Sequence, residues 1–348
     1  LLFGWLYLLI MLIALDRFQQ GSEKAIWIVP PLFVVWVNSH GSWIIGLVIY
    51  GIIVGSGLFQ FEFGQIQAHR WSPRQLKILL SVGLLSALVL FANPYGYKLV
   101  KYPFDMAFHQ KLNIEHVEEW ASVNFHNARG KVIFLSLAAV FSCSLLSTKK
   151  LLLSEALLIL LAFYSGFTYI RFVFLLAILV SPFLSARIHL FPPYDPKIDK
   201  PLVNLLFGIV VLGIILWRFP SEKLLNADLE TTFPAHSISY LRQHNIRDHV
   251  LTHYSWGGYI ERFLPEMPVF VDSRVDIFEY NGTLKDYLDL IGIKDPLSVL
   301  DRRKIQYVYF KPDEPLVYLL LHTGNWDVLY QDKVSILLKR HTPQPAAQ

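Results

Sequence analysis

The chain has 348 residues, of which 54% are apolar and 17% carry a charge. Soluble domains usually carry about 25% charged residues, so this composition argues against a wholly soluble protein. The aromatic share of 15% excludes a disordered chain. Because Cys143 is the only cysteine, a disulfide framework and a multi-cysteine metal site are also excluded. The net charge of +4 is small, and no basic block points to nucleic acid as a partner.

The first 15 residues form an apolar run that lacks the basic start and the small-residue cleavage site of a signal peptide. The run therefore predicts a membrane helix that is cut at its beginning. Since no initiator methionine precedes it, we expect the sequence to be the C-terminal portion of a longer protein.

Residues 1–218 are predicted to form a transmembrane domain of about eight helices. A membrane-spanning helix needs roughly 17–25 mostly apolar residues, and runs near that length recur along this half. The predicted helices lie at 1–15, 25–38, 42–60, 76–93, 131–147, 151–167, 170–188 and 201–218. The alternative for 25–60 is a single long broken helix, which would change the topology.

Positive charges in the connectors predict the orientation of these helices, because cytoplasmic loops carry an excess of lysine and arginine. The connectors on one side contain ten such residues: Arg17, Lys24, Arg70, Arg74, Lys77, Lys149, Lys150, Arg187, Lys197 and Lys200. The opposite side has the turn 38–41, the loop 94–130 and the turn near Thr168, where basic residues are few or mixed with acidic ones. The basic side is therefore predicted to be cytoplasmic, and eight crossings place the chain after Arg218 outside.

Residues 219–340 are predicted to form a small extracytoplasmic α/β domain, because short helical and strand patterns alternate there. Helices are predicted at 237–244, 255–263, 283–291, 296–303 and 314–322. Strands are predicted at 249–253, 268–272, 306–310, 326–331 and 333–339, the last two as an antiparallel hairpin. The tail 341–348 is predicted to be disordered.

Polar residues interrupt the apolar runs in two places on the outer side. In the first, Asn38 and His40 lie in a turn before a helix, where they and the first amides of that helix can bind a phosphate. The alternative is a helix cap with interfacial tryptophans.

In the second place, Glu118, Glu119 and Trp120 lie in a loop too long for a simple connector. A carboxylate beside a tryptophan can act as a general base or hold a sugar hydroxyl, and the alternative is an amphipathic helix on the bilayer.

A charge at the start of an apolar helix is costly and indicates a function by default. Arg171 is such a charge, and its guanidinium fork suits a lipid-linked phosphate. The alternative is that its side chain extends to the membrane interface.

The outer domain has the densest group of candidate residues. Trp256 and Tyr259 flank Gly257 and Gly258 after a predicted strand, so the aromatic rings can stack on a sugar while the glycines allow close approach. Asp272 is expected at the carboxyl end of the next strand, where ligands of open α/β sheets bind, with Arg274 close by. The alternative is a buried structural pair of Asp272 and Arg274 with aromatic packing.

The order of these motifs resembles that of bacterial GT-C-type membrane glycosyltransferases and related polytopic membrane proteins of undefined activity. The resemblance covers nearly the whole chain and rests on Trp36-x-Asn38-x-His40-Gly41-Ser42, Asn93-Pro94-Tyr95-Gly96, Glu118-Glu119-Trp120, the Arg171 helix, Trp256-Gly257-Gly258-Tyr259 and the segment 269–274. The stretch 255–259 is also similar to the Trp-Trp-Asp-Tyr-Gly signature of oligosaccharyltransferase catalytic subunits, with Gly257 at the acidic position.

The resemblance implies an enzyme of the inner (cytoplasmic) membrane that uses a polyprenyl-phosphate-linked sugar donor and a glycan or protein acceptor on the extracytoplasmic face. His40 and Arg171 would contact phosphate oxygens. In such enzymes the main catalytic carboxylate lies in the first outer loop, which we expect before residue 1. Glu119 and Asp272 are therefore supporting candidates.

Two other classes of function are open. One is a non-catalytic envelope protein whose outer domain binds a glycan or a protein partner. A transporter is disfavoured, because charges inside the helices are scarce and no paired repeat is visible.

Overall fold

A computed structural model describes residues 2–188 and 199–341 of the chain. The chain divides into two compact units, Leu1–Pro193 and Tyr194–Gln348. The boundary between the two units therefore lies earlier in the sequence than residue 218, where the change in composition had suggested it. Residues 342–348 of the predicted tail lie outside the described residues.

The first unit is helical, and its helices coincide with those predicted from apolar runs. They are α1 (Leu2–Gln19), α2 (Val29–Ser39), α3 (Trp43–Ser56), α4 (Pro73–Val89), α5 (Tyr97–His109), α6 (Lys111–His116), α7 (Ala128–Leu146), α8 (Leu153–Thr168) and α9 (Val173–Ser185). Helix α4 begins earlier than predicted because Ser72 and Gln75 form a capping box. Helices α5 and α6 lie in the long loop, outside the eight predicted helices; for the part around Glu118–Trp120 an amphipathic helix was the alternative.

The stretch 25–60 forms two helices, and the long broken helix is wrong. A 3₁₀ turn, Ala25–Ile28, leads into α2, and the chain then turns back at residues 40–42. The fold-back is tight, because a Cβ atom on Gly46 of α3 would lie 2.7 Å from the ring of Trp36 on α2. Small-residue contacts of this kind allow two apolar helices to approach closely.

The connectors of the first unit gather at its two ends. At one end Arg74 pairs with Glu23 at 2.6 Å, and Lys149 Nζ donates to the carbonyl of Ala186 at 3.2 Å. The short strands β1 (Phe61–Phe63), β2 (Ile66–Ala68) and β3 (Leu151–Leu152) form a small sheet at this end. We call it the basic end.

The opposite end is tied together by bonds between distant segments. The Asn38 amide donates to the carbonyl of Ala92 at 2.9 Å, and the Ile170 N–H donates to the carbonyl of Ala121 at 2.9 Å. We call it the His40 end. Within the first unit, connectors that the sequence assigned to the same side of a membrane contact one another. Lys197 lies outside the described residues.

Within the described residues, three helices are long and apolar enough to cross a membrane: α1, α7 and α10 (Pro201–Arg218). Four shorter apolar segments accompany them, at Ala25–Ser39, Trp43–Ser56, Leu153–Thr168 and Ile170–Ser185. No residue of α10 is buried within the chain. An apolar surface of that extent is stable only against lipid or another protein.

The second unit contains the predicted α/β domain. Its helices after α10 are α11 (Glu222–Thr232), α12 (Ala235–Gln243), α13 (Gly257–Phe263), α14 (Val275–Tyr280), α15 (Thr283–Ile291), α16 (Pro296–Arg302) and α17 (Pro315–His322). Its strands are β4 (Val250–Thr252), β5 (Tyr307–Phe310), β6 (Trp326–Gln331) and β7 (Ile336–Arg340). They form one sheet in the order β4-β5-β7-β6, with β4 parallel to β5 and with β6 and β7 as the predicted antiparallel hairpin.

The predicted strand at 268–272 is wrong. That segment is irregular, and the N–H of Phe270 donates to the Thr252 hydroxyl at 3.0 Å instead of to a backbone ladder. Pro268 has no N–H to give to a sheet, which favours this outcome. Asp272 therefore does not lie at the end of a strand, as its position in the sequence had suggested.

Candidate functional site

His40 lies in the turn between α2 and α3 and is held by a short hydrogen-bond chain. The Ser42 N–H donates to His40 Nδ1 at 3.0 Å, and the Ser42 hydroxyl lies 2.8 Å from the same nitrogen. The Trp36 indole N–H donates to the Ser42 oxygen at 3.0 Å. Because the Ser42 N–H donates to Nδ1, this nitrogen is an acceptor, and the Ser42 hydroxyl directs its own proton to it as well. This network assigns the proton of neutral His40 to Nε2, so the ring can offer a donor to a ligand.

The N-terminal turn of α1 packs directly on this chain of bonds. A Cβ atom on Gly4 would lie 2.3 Å from Ser42 Oγ and 3.1 Å from His40 Nδ1. A Cβ atom so close would force Ser42 or the start of α1 to move. Sequence reasoning missed Gly4, because an isolated glycine in an apolar run carries no signal of what it touches.

Arg171 lies in the 3₁₀ turn Ile170–Phe172 that leads into α9. Its guanidinium carbon lies 4.2 Å from the centre of the Trp120 ring, a cation–π contact. Its Nη1 lies 3.7 Å from Glu119 Oε2, which is an ion pair but too long for a hydrogen bond. Trp120 is in turn braced edge-on by Tyr169, with ring centres 5.4 Å apart.

Two backbone bonds bring these residues together from segments about 50 positions apart. The Ile170 N–H donates to Ala121 at 2.9 Å, and the Val123 N–H donates to Phe167 at 3.1 Å. The loop after the 3₁₀ turn Glu118–Trp120 is thereby fixed against the connection between α8 and α9. The predicted residues Glu119, Trp120 and Arg171 form one cluster.

His40 lies within electrostatic reach of this cluster. Burial is the main cause that lowers the pKa of His40, and the positive charge of Arg171 makes a smaller contribution in the same direction. His40 is therefore neutral at pH 7 and presents its Nε2 proton. The side chain of Arg171 is 23% exposed and, within the described residues, donates no hydrogen bond. Both groups have donors available for a ligand, and an arginine fork is suited to phosphate.

The other predicted residues of the His40 end have different roles. The Asn38 amide nitrogen donates to Val34 at 2.8 Å and to Ala92, so its donors join the end of α2 to the segment after α4. Glu118 is exposed on the surface of its turn. Neither Asn38 nor Glu118 presents a held, available donor to a ligand, as His40 and Arg171 do.

In the second unit, Trp256 is fully buried and its ring packs on Tyr309 and His253, each with ring centres 5.2 Å apart. Both faces of the indole are thus covered, and the stacking role expected for Trp256 is wrong. Tyr259 is half-buried and stacks on Phe233 at 5.0 Å. These aromatic rings form the core beside α13.

Asp272 is 2% exposed and is engaged by Arg274 through the backbone N–H at 2.7 Å and through Nε at 3.1 Å. Arg274 also bonds Glu261. Burial would raise the pKa of Asp272, but the bonds and charge of Arg274 outweigh it, so the pKa lies below its ordinary value. A carboxylate held in this way is a poor proton acceptor. The alternative of a structural Asp–Arg pair describes the contacts observed, and the catalytic role expected for Asp272 is corrected accordingly.

The glycines of this motif differ from each other. A Cβ atom on Gly257 would lie 2.3 Å from Asp272 Cβ, whereas one on Gly258 meets nothing within 4 Å. Gly257 therefore allows α13 to begin against the segment that holds Asp272. It serves packing between protein segments and not the approach of a ligand.

Sequence reasoning also missed a polar group at the carboxyl ends of β4 and β5. The imidazole of His253 lies 2.8 Å from the Ser255 hydroxyl and 3.3 Å from Glu314 Oε1. His253 caps the 3₁₀ turn Tyr254–Trp256, because its Nδ1 accepts from the Ser255 N–H.

No family model matches the chain, and no curated protein matches it either.

Proposed function

We propose that the chain is the C-terminal portion of a membrane glycosyltransferase that takes its sugar from a polyprenyl-phosphate-linked donor. In this proposal eight helices cross the inner membrane, the basic end faces the cytoplasm, and the His40 end and the α/β domain are extracytoplasmic. The acceptor is a glycan or a protein. The proposal rests on the resemblance of motif order and on one structural observation: Arg171 and His40 lie within electrostatic reach of each other, and each keeps donors for a ligand.

The Arg171 side chain is 23% exposed and, within the described residues, donates no hydrogen bond, while its charge acts on a neutral His40 that offers its Nε2 proton. Breaking the bond between sugar and phosphate leaves negative charge on the phosphate oxygens of the leaving group. Donors fixed in advance, away from bulk water, stabilise such charge most strongly. Trp120 holds the guanidinium by a cation–π contact that leaves its N–H groups free to turn toward an anion.

The second unit supports this chemistry less directly. Asp272 is occupied by Arg274, and Trp256 is buried, so neither contributes a free group to a reaction. The acceptor's proton would then go to Glu119, which is 60% exposed, or to a carboxylate from the preceding part of the full protein. The α/β domain is proposed to bind the acceptor.

The test is transfer of radiolabelled sugar from a polyprenyl-phosphate donor by membranes that contain the full-length protein. Arg171→Ala is expected to lower the rate about 10²–10³-fold, the usual effect of removing one preorganised donor from charge developing in a transition state. Arg74→Ala is the matched control, because Arg74 lies at the basic end in an exposed ion pair. Equal rates for both variants and the wild type contradict the proposal.

A non-catalytic envelope protein is the second candidate. The engagement of Asp272 and the ion pair of Glu119 favour it, since both carboxylates already have partners. It predicts that cellular glycan profiles are unchanged when Arg171, Glu119 or His40 is replaced, while binding of a glycan or a protein to the α/β domain is retained.

A further inference from the structure

Helix α5 carries an exposed aromatic stripe. Tyr97, Phe104 and Phe108 are 66%, 47% and 71% exposed. Their spacing of seven and four residues places them on one face of a helix with 3.6 residues per turn. No residue of α5 is buried. We call these three residues the aromatic stripe.

The other face of α5 rests on the protein. Leu99 and Met106, on the side opposite the stripe, are partly buried, and Leu99 packs against the apolar core of the first unit. Val100, at the edge of the stripe, also packs against that core. This packing fixes the rotation of the helix about its own axis, and the aromatic stripe is directed away from the core. Three large rings facing water on one helix face would be unfavourable, so another apolar phase must cover them.

The charges around the stripe are those of a helix at a lipid surface. Lys101 lies on the stripe itself, one turn after Tyr97, and pairs with Asp105 at 3.3 Å. Lys98 and Lys111 add two more positive charges. Lysine stems can lie along apolar surface while the ammonium reaches phosphate headgroups. Aromatic residues together with lysine are typical of helices in the membrane interface.

The position of α5 in the chain agrees with this setting. It starts at Tyr97, directly after the turn 93–96 that follows α4, and α4 is joined to the end of α2 by the bond from Asn38 to Ala92. The helix thus begins at the His40 end, where several apolar helices of the first unit begin or end. Helix α6 and the turn that holds Glu119 follow within nine residues.

We propose that α5 lies in the plane of the membrane interface at the His40 end, with the aromatic stripe inserted among phospholipids at the boundary between headgroups and acyl chains. The loop that presents Glu119 and Trp120 to Arg171 is thereby held at headgroup depth. The inference needs the helical unit to be in a membrane, but it does not need the transfer reaction.

Site-directed spin labelling of the full chain in phospholipid vesicles tests this placement. Cys143 is the only cysteine, so Cys143→Ala gives a background for single labels. Labels at Phe104→Cys and Phe108→Cys are expected to collide more often with oxygen, which enters the acyl phase, than with a water-soluble nickel chelate. The matched control is Lys98→Cys, an exposed position about 100° around the same helix, where the preference is expected to reverse.

Two results overturn the inference. One is a ratio of oxygen to nickel collisions at 104 and 108 that equals the ratio at 98. The other comes from the unmodified protein, which avoids any effect of the substitutions on folding. A lipid-phase diazirine reagent is expected to label Tyr97, Phe104 and Phe108 but not Lys98, and absence of label from all three rings overturns the placement. Either outcome leaves the glycosyltransferase proposal to its own assay.

Discussion

Replacing Gly257 by alanine tests the packing that holds Asp272 in its pair with Arg274. The added methyl would lie 2.3 Å from Asp272 Cβ and 2.9 Å from its Cα, whereas carbon atoms in contact are about 3.5–4.0 Å apart. The start of α13 and the segment 271–272 must therefore separate by more than an ångström. Overpacking of this kind costs about 1–3 kcal/mol.

Gly258→Ala is the matched control, because it lies in the same helix and its Cβ meets nothing within 4 Å. Alanine is favoured over glycine inside a helix by about 1 kcal/mol, so Gly258→Ala is expected to be neutral or mildly stabilising. The two substitutions add the same methyl to adjacent positions, and only the contact with Asp272 separates them.

The assay is native-state hydrogen exchange of the full chain, followed over residues 257–274. Gly257→Ala is expected to lower the opening free energy of this segment by about 1–3 kcal/mol relative to the wild type. Gly258→Ala is expected to leave it unchanged or to raise it. If Gly257→Ala exchanges as slowly as the wild type, the close approach of α13 to Asp272 is not as described.

Two further predictions concern packing at the His40 end and a buried charge. Gly4→Ala drives a methyl into Ser42, so it is expected to destabilise the first unit by about 1–3 kcal/mol. Thermal unfolding in nanodiscs measures this, with Gly51→Ala, which meets nothing within 4 Å, as the neutral control. The pKa of Asp272 is lowered in the folded state, so its pair with Arg274 stabilises the domain above the ordinary aspartate pKa of about 3.9 and is lost as pH falls through the folded value. Asp272→Asn is expected to reduce the stability of the domain at pH 7 and to remove the loss of stability in acid that the pair causes. If the stability of the variant falls with acid as steeply as that of the wild type, the pair does not have this role.

The helices of the first unit could be predicted from the sequence because each is a continuous apolar run bounded by polar residues. Helix α5 could not, since lysines and Pro103 interrupt its pattern and its apolar face is a stripe of separated aromatic residues. The hairpin of β6 and β7 was predictable from two adjacent strand patterns. Helix α14 has only six residues, too few for a helical period to show.

The candidate site was predictable as a set of residue types but not as an arrangement. His40 and Arg171 could be identified as candidates because they are polar residues within apolar stretches of the sequence. The partners of Arg171 depend on contacts between segments about 50 residues apart, which periodicity does not encode. The same limit explains Trp256, because an aromatic residue beside two glycines suits a ligand platform and a packed core equally well. Its full burial depends in part on Tyr309 of β5, which is distant in sequence.

Binding of polyprenyl phosphate to the intact protein tests the central claim most directly, since it requires Arg171 and His40 to hold a phosphate but does not require turnover. Native mass spectrometry from detergent can count the bound lipid for the wild type, Arg171→Ala and the control Arg74→Ala. Hydrogen bonds from charged groups contribute about 1.5–3 kcal/mol, so Arg171→Ala is expected to weaken binding roughly tenfold to a hundredfold. Arg74→Ala is expected to bind as the wild type does. Undiminished binding by Arg171→Ala would contradict the account.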